Sequence, residues 1–279
     1  MREQAFNEYE TGWRSTYEAA KELAHKNGSD LARVLNLLQQ PRMPNENAEM
    51  LRRFGYRLCG VRAKGVSDYY YEPMLFEVQL QNEILRMIEP DTINIVELGS
   101  GYSKNLFRVW LNGGPLDANY VGAEYTPAGR ECGDFLASLE PCIRYRSIPF
   151  DYYSPALRDF DANAKTFVFS CYSIEQIPKI GREVFEALLA MPGLYRVVHI
   201  EPVGWQRTSS RLPLTPEWAF QRAIRRSALA LQYNTNLLSV IESLEAERKI
   251  TVRRPIKFDF LAHRPNLPGT VIAWEPHGG

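Results

Sequence analysis

Five carboxylates share one kind of position. Glu97 ends the run INIVE, Glu124 ends NYVGAE, Asp151 closes IRYRSIPFD, Glu175 follows FVFSCYSI, and Glu201 ends RVVHIE. An acid placed just past an apolar run can accept hydrogen bonds from a ligand's hydroxyl or amino groups, hold a cation, or take a proton. After the first of them comes Gly99-Ser100-Gly101-Tyr102-Ser103-Lys104. Two glycines so close together let backbone pass near a bound ligand. A dinucleotide fingerprint would carry a third glycine at 104, where this chain has Lys104,. Glu97 would also repel a pyrophosphate and attract a positively charged ligand.

Such acids work together only if a scaffold gathers the ends of their strands. From Pro90 onward strand and helix patterns alternate. Strands are predicted over 93–98, 118–125, 143–151, 165–172 and 195–202, with helices over 103–111, 128–139, 181–191 and 216–232,. The end of the chain, 249–262 and 269–276, reads as two strands joined by a Pro/Asn/Gly loop,. This alternation predicts an α/β fold: a doubly wound, mostly parallel seven-stranded sheet with one antiparallel strand of edge type. Ligands of such sheets bind beyond the carboxyl ends of the strands, where the acids lie. Before Pro90 the period is helical. Trp13, Tyr17, Ala20 and Leu23 recur at three- and four-residue steps, Asn27-Gly28 stops that helix, and Ser29-Asp30 caps the next,. Further helices are predicted over 48–61 and 76–88. Residues 1–88 are expected to form a helical cap and 89–279 the sheet domain.

The run E-x-G-x-G at the end of a first strand resembles motif I of the class I S-adenosylmethionine-dependent methyltransferases, a Rossmann-like superfamily. The family's usual further glycine is replaced here by Ser103. The resemblance covers residues 90–279 and implies S-adenosyl-L-methionine as cofactor. It places Glu97 near the methionine amino group, with Gly99, Gly101 and Ser103 as the close-lying loop. It assigns Glu124 to the ribose hydroxyls, and Asp151 to the adenine amino group with Phe150 against the ring. Tyr125 and Ser170 complete the implied cofactor set. The structural alternative for each acid is a helix cap or a solvated loop carboxylate.

In this fold the methyl acceptor would face the fourth and fifth strand ends, so Glu175, Gln176 and Glu201 are the acceptor candidates. Two carboxylates suit a cationic nitrogen acceptor, which they can orient and deprotonate. A hydroxyl acceptor needs a base, for which His199 is the candidate, with a core histidine as its alternative. A divalent metal held by Glu175 and Glu201 is a third reading; no metal is expected. Tyr71, in the run Tyr69-Tyr70-Tyr71, and Trp205 are candidate pocket walls, since aromatic faces hold cations or stack on planar groups. Their alternative is core packing. Arg222, Arg225 and Arg226 read as a solvated helix face.

Composition narrows the partners. Lys+Arg and Asp+Glu each number 33, so the formal net charge is zero. Nucleic-acid binding needs a basic excess and is not expected. No stretch approaches ~20 apolar residues, so no membrane span is expected. The start MREQAFNEYETGW lacks a secretory pattern, and the four scattered cysteines read as reduced thiols, so the expected location is cytoplasmic,. The expected partner is a small-molecule methyl acceptor, an amino acid or biosynthetic intermediate, with nitrogen ahead of oxygen and a homodimer as the oligomer to test. Rival readings are a sugar or natural-product O-methyltransferase, a non-catalytic scaffold of the same fold, and a nicotinamide oxidoreductase. Glu97 and the missing third glycine count against the last.

Overall fold

The computed structural model describes residues 2–38, 73–161, 163–207, 216–264 and 267–278. Helix α1 spans Arg2–Asn27 and α2 Leu31–Leu38. Opposite charges one turn apart support α1: Glu10 with Arg14, Glu18 with Lys21, Glu22 with Lys26,. Gly28, at φ 87°, turns the chain after it. The Asp30 carboxylate then accepts from the Arg33 amide at 2.6 Å and caps α2,. Helix α3 covers Pro73–Leu85. The helix expected over 48–61 and the Tyr69–Tyr71 run lie outside the described residues.

The alternation that follows has the expected order. It comprises β1 (Asn94–Leu98), α4 (Lys104–Leu111), β2 (Asn119–Glu124), α5 (Pro127–Ser138), β3 (Arg144–Pro149) and β4 (Thr166–Cys171). Then come α6 (Arg182–Leu189), β5 (Leu194–Glu201), α7 (Pro216–Ala230), α8 (Leu237–Ala246), β6 (Ile250–Arg264) and β7 (Leu267–Pro276). Short 3₁₀ turns cover Ile174–Gln176 and Gly204–Arg207. The strands hydrogen-bond in the order β3-β2-β1-β4-β5-β7-β6. β1 pairs in parallel with β2 and β4, β2 in parallel with β3, and β6 runs antiparallel to β7. The doubly wound sheet with its antiparallel edge is therefore as expected. Helix α8 was not expected, although Leu237, Leu238, Ile241 and Leu244 form its buried stripe. Asn234, Thr235 and Asn236 just before it carry the start signal.

Two compact units make up the chain. The first holds Met1–Gln40, Glu83–Cys171 and Gly181–Val197; the second holds Pro41–Asn82, Tyr172–Ile180 and Val198–Gly279. In the first unit β1 is buried at every residue, as a central parallel strand must be, and β3 alternates between exposed and half-buried as an edge,. Between β2 and α5 lies a polar seam. The Tyr145 hydroxyl bonds Ser103 at 2.8 Å, and Ser103 donates to Ser100 at 3.2 Å. Gly122 makes room for it: a Cβ there would sit 2.3 Å from Ser103 Oγ and 2.6 Å from the Tyr145 hydroxyl. Gly122→Ala is expected to cost ~1–3 kcal/mol by overpacking, lowering the thermal midpoint in a melt followed by circular dichroism. An unchanged midpoint would refute the tight seam.

Candidate functional site

In the first unit the loop after β1 is held from below by β2. The Gly99 and Ser100 amides both donate to the Ala123 carbonyl, at 2.8 and 3.2 Å. Gly99, Gly101 and Ser103 all adopt left-handed backbone, with φ of 64°, 55° and 59°. Glycine takes this conformation without strain, and Ser103 takes it at a cost that the seam offsets. Position 103 thus carries a left-handed backbone requirement that this chain meets with a fully buried serine.

Glu97 is 1% exposed. Its Oε1 accepts from Asn105 Nδ2 at 2.6 Å, and its Oε2 has no hydrogen-bond partner. Burial is the main cause pushing its carboxyl up to about 8,. The group expected as a standing negative charge is therefore a mostly neutral acid at pH 7, ready to ionise beside a cation. Glu124 is also buried, and its oxygens are in use. Oε2 accepts from the Gly101 amide at 2.8 Å; Oε1 accepts from the amide and hydroxyl of Thr126 at 2.9 and 2.7 Å. Of about four acceptor positions on a carboxylate, one remains, on Oε2. Glu124 can therefore take one hydroxyl donor where two were expected, and it also pins the glycine loop.

The other first-unit candidates follow the strand ends. Phe150 is 4% exposed, and its amide donates to the Glu124 carbonyl at 3.2 Å. Its ring meets Tyr152 edge-on, with centroids 4.9 Å apart. Asp151 is half-buried, and its Oδ1 accepts from the Tyr153 amide at 2.9 Å, closing its own turn,. Tyr125 is 38% exposed beside Glu124. Ser170 is fully buried and pairs in register with Leu98. The first unit thus brings Glu97, the glycine loop, Glu124 and Tyr125 together.

The second unit carries the acceptor candidates. Glu201 is fully buried and accepts from three successive amides, those of Ser173, Ile174 and Glu175, at 3.3, 3.2 and 3.2 Å. A buried turn start leaves such amides without partners of their own, and a carboxylate is a strong acceptor for them. The expectation that Glu201 faces the acceptor is corrected on this ground: it holds the turn that carries Glu175. Glu175 is 7% exposed and accepts from Gln176 Nε2 at 2.7 Å. Its carbonyl takes the Asn234 amide at 2.9 Å. Asn234, unforeseen as part of this support, also bonds the Ile177 carbonyl and the Asn236 and Leu237 amides.

Two further candidates change role. His199 is fully buried, its Nε2 accepts from Trp274 Nε1 at 3.0 Å, and burial pushes its pKa down to about 3. A ring that resists protonation this far is no base for an alcohol, so the core alternative holds. Trp205 is 5% exposed and packs with Ile224, Ala228 and Tyr233, which makes it core and not a pocket wall. Tyr71 lies outside the described residues. Among the described residues no three His, Cys, Asp or Glu side chains come together to hold a metal, and no helix is long and apolar enough to cross a membrane.

No family model and no curated protein matches the chain. Solved structures similar to it include the pyocyanin biosynthetic protein PhzM, at 18% identity and TM-score 0.47 over 73% of this chain. The match spans 56% of that protein, little more than half its length. A possible exported protein from Bordetella parapertussis is 14% identical, TM-score 0.48, over 99% of this chain and 97% of its own. An O-methyltransferase from Bacillus cereus, solved with SAH, is 13% identical, TM-score 0.43, over 86% of this chain and 94% of its own. Likeness this distant carries no functional argument, which falls to the residues of the two units.

Proposed function

We propose that the chain is an S-adenosylmethionine-dependent methyltransferase acting on a small molecule. One observation carries the reading: at the end of β1, next to a loop in left-handed backbone, the buried Glu97 carboxyl has an oxygen with no partner. An ammonium group fits that oxygen, and a pyrophosphate does not. Bound S-adenosylmethionine supplies an electrophilic methyl group on a sulfonium. Glu97 would hold the amino group of its methionine part, Glu124 one ribose hydroxyl through its remaining acceptor position, and Phe150 an apolar side of the adenine. Gly99, Gly101 and Ser103 let the loop lie close.

The acceptor is proposed to be an amine or guanidine nitrogen of an amino acid or biosynthetic intermediate. Glu175 is the residue proposed to orient it and accept its proton, with Gln176 fixing the Glu175 carboxylate and Glu201 fixing the turn. A sugar or natural-product hydroxyl is the second reading, and it loses its candidate base with His199 bound into the core. The cap expected over residues 1–88, of which α1, α2 and α3 are described, is proposed to keep water from the transfer.

Calorimetry tests the cofactor. S-adenosylmethionine and S-adenosylhomocysteine are expected to release heat on binding, and NAD none. Binding of NAD alone would overturn the reading. Mass spectrometry of the protein with the cofactor and pooled metabolites then identifies the acceptor by its gain of a methyl group.

A further inference from the structure

Helix α1 brings one of its faces to the glycine loop. Phe6, Glu10, Trp13 and Tyr17 follow each other at steps of four, three and four, which places them on one side of a helix,. Within the first unit that side runs along the ends of β1 and β2 and down α5. Phe6 meets Tyr125, the residue after Glu124, edge-on with centroids 5.1 Å apart. Glu10 accepts from the Ala128 amide at 2.9 Å, in the first turn of α5, where amides lack helical partners,. Trp13 meets Tyr102 at 5.4 Å. Tyr17 meets Phe135 at 5.7 Å, and Arg14 pairs with Glu131 at 2.5 Å.

Trp13 makes the most telling contact. A Cβ on Gly101 would lie 2.8 Å from its Cζ2 and 3.2 Å from Cε2 and Cη2. Only a glycine lets the indole come this near. The second glycine of a nucleotide-binding loop is the point where backbone and ligand approach most closely. The indole lies against the face of Gly101 that a ligand of this loop would approach, with Phe6 beside the residue that follows Glu124.

We infer that α1 forms the outer wall of the cofactor site and that Trp13 is a cofactor-contacting residue, packing on the nucleoside part of the ligand. The inference rests on the reading of this loop as an S-adenosylmethionine site and adds a residue from a segment that the motif I resemblance does not reach. A flat, apolar indole suits a ribose and purine, and it shields them from water. One of the anchors of α1 on α5 sits at the surface: the Arg14 and Glu131 side chains are 41% and 50% exposed. This pair is a weak tie beside the Glu10 bond and the aromatic contacts, so removing it loosens the hold of α1 on the site without unfolding the helix from α5,.

The test uses the full chain and S-adenosylhomocysteine. Titration is expected to quench the tryptophan fluorescence of the wild type, and Trp13→Phe is expected to lose that quench while binding with a dissociation constant within threefold of wild type. Trp13→Ala is expected to raise the dissociation constant tenfold or more by calorimetry. Arg14→Ala, a surface change, keeps the test open if Trp13→Ala fails to fold: stopped-flow release should become at least threefold faster with an unchanged thermal midpoint. Persistence of the full quench in Trp13→Phe together with wild-type release from Arg14→Ala would overturn the inference while leaving the cofactor reading intact. Absence of any binding by the wild type would instead overturn the cofactor reading, and the inference with it.

Discussion

Relative to Glu97→Gln, the wild type is expected to lose stability as pH rises from about 5 to about 8,. Up to about 6.5 the opposite titration of the buried His199, whose folded value lies near 3, masks the fall in the wild type taken alone,. Burial holds the Glu97 carboxyl at about 8 in the folded protein, against 4.5 as its ordinary value. A folded state that keeps its proton longer than the unfolded chain is favoured at low pH. Its advantage is whole below the unfolded value and is lost as pH passes through the folded one. The interval between 4.5 and about 8, at ~1.4 kcal/mol per pH unit, amounts to ~5 kcal/mol. Urea melts of both proteins across this range measure it. Parallel curves for wild type and Glu97→Gln would show that Glu97 ionises as an ordinary surface acid.

The same proton reports on the ligand. An ammonium group brought against Glu97 Oε2 favours the charged carboxylate, so binding at pH 7 should expel up to one proton. Calorimetric enthalpies for S-adenosylhomocysteine in phosphate and in Tris should then differ by the buffers' ionisation heats. In Glu97→Gln the difference should vanish, and affinity should fall with it.

Glu201 and Glu175 are expected to respond in opposite ways. Glu201→Ala would leave three buried amides, those of Ser173, Ile174 and Glu175, without their acceptor. Each orphaned group costs ~1–3 kcal/mol, and the costs overlap within one turn, so a loss of ~3–5 kcal/mol is expected. Glu175→Gln keeps the backbone of the turn intact, so its thermal midpoint should stay within a degree or two. With the acceptor identified, its turnover should drop ~10²-fold or more, the scale for losing a positioned acid–base group. Cofactor affinity should hold. A stable Glu201→Ala protein with slow turnover would return Glu201 to the acceptor. A fully active Glu175→Gln protein would remove Glu175 from it.

Much of the scaffold was legible because its signals are local. Apolar runs of five or six residues between helical patterns are strands wherever they fold. β1 and β2 ended at Glu97–Leu98 and Glu124, close to where the runs end. α8 went unread because its stripe followed directly on a polar Asn-Thr-Asn segment that looks like the end of a longer loop. The acids were located by the same local logic, but their partners were not. Glu201 meets amides 26 to 28 residues before it, and Trp274 reaches His199 across 75 residues. No spacing rule announces such pairs.

The sequence by itself determined the order of strands and helices apart from α8, a glycine-bearing loop after the first strand, and the placing of five acids at or just past strand ends. These follow from periodicity and backbone conformation, which neighbouring residues decide among themselves. Only the tertiary structure decided what the acids do. Burial turned Glu97 from a fixed charge into a titrating group. Turn amides drew Glu201 inward, Gly101 and Thr126 took up most of Glu124, and α1 reached across 118 residues of chain to set Glu10 on α5 and across 88 (101 − 13) to set Trp13 on the glycine loop. Desolvation and hydrogen-bond partners depend on what the whole fold packs around a side chain, and that is a property of space and not of spacing.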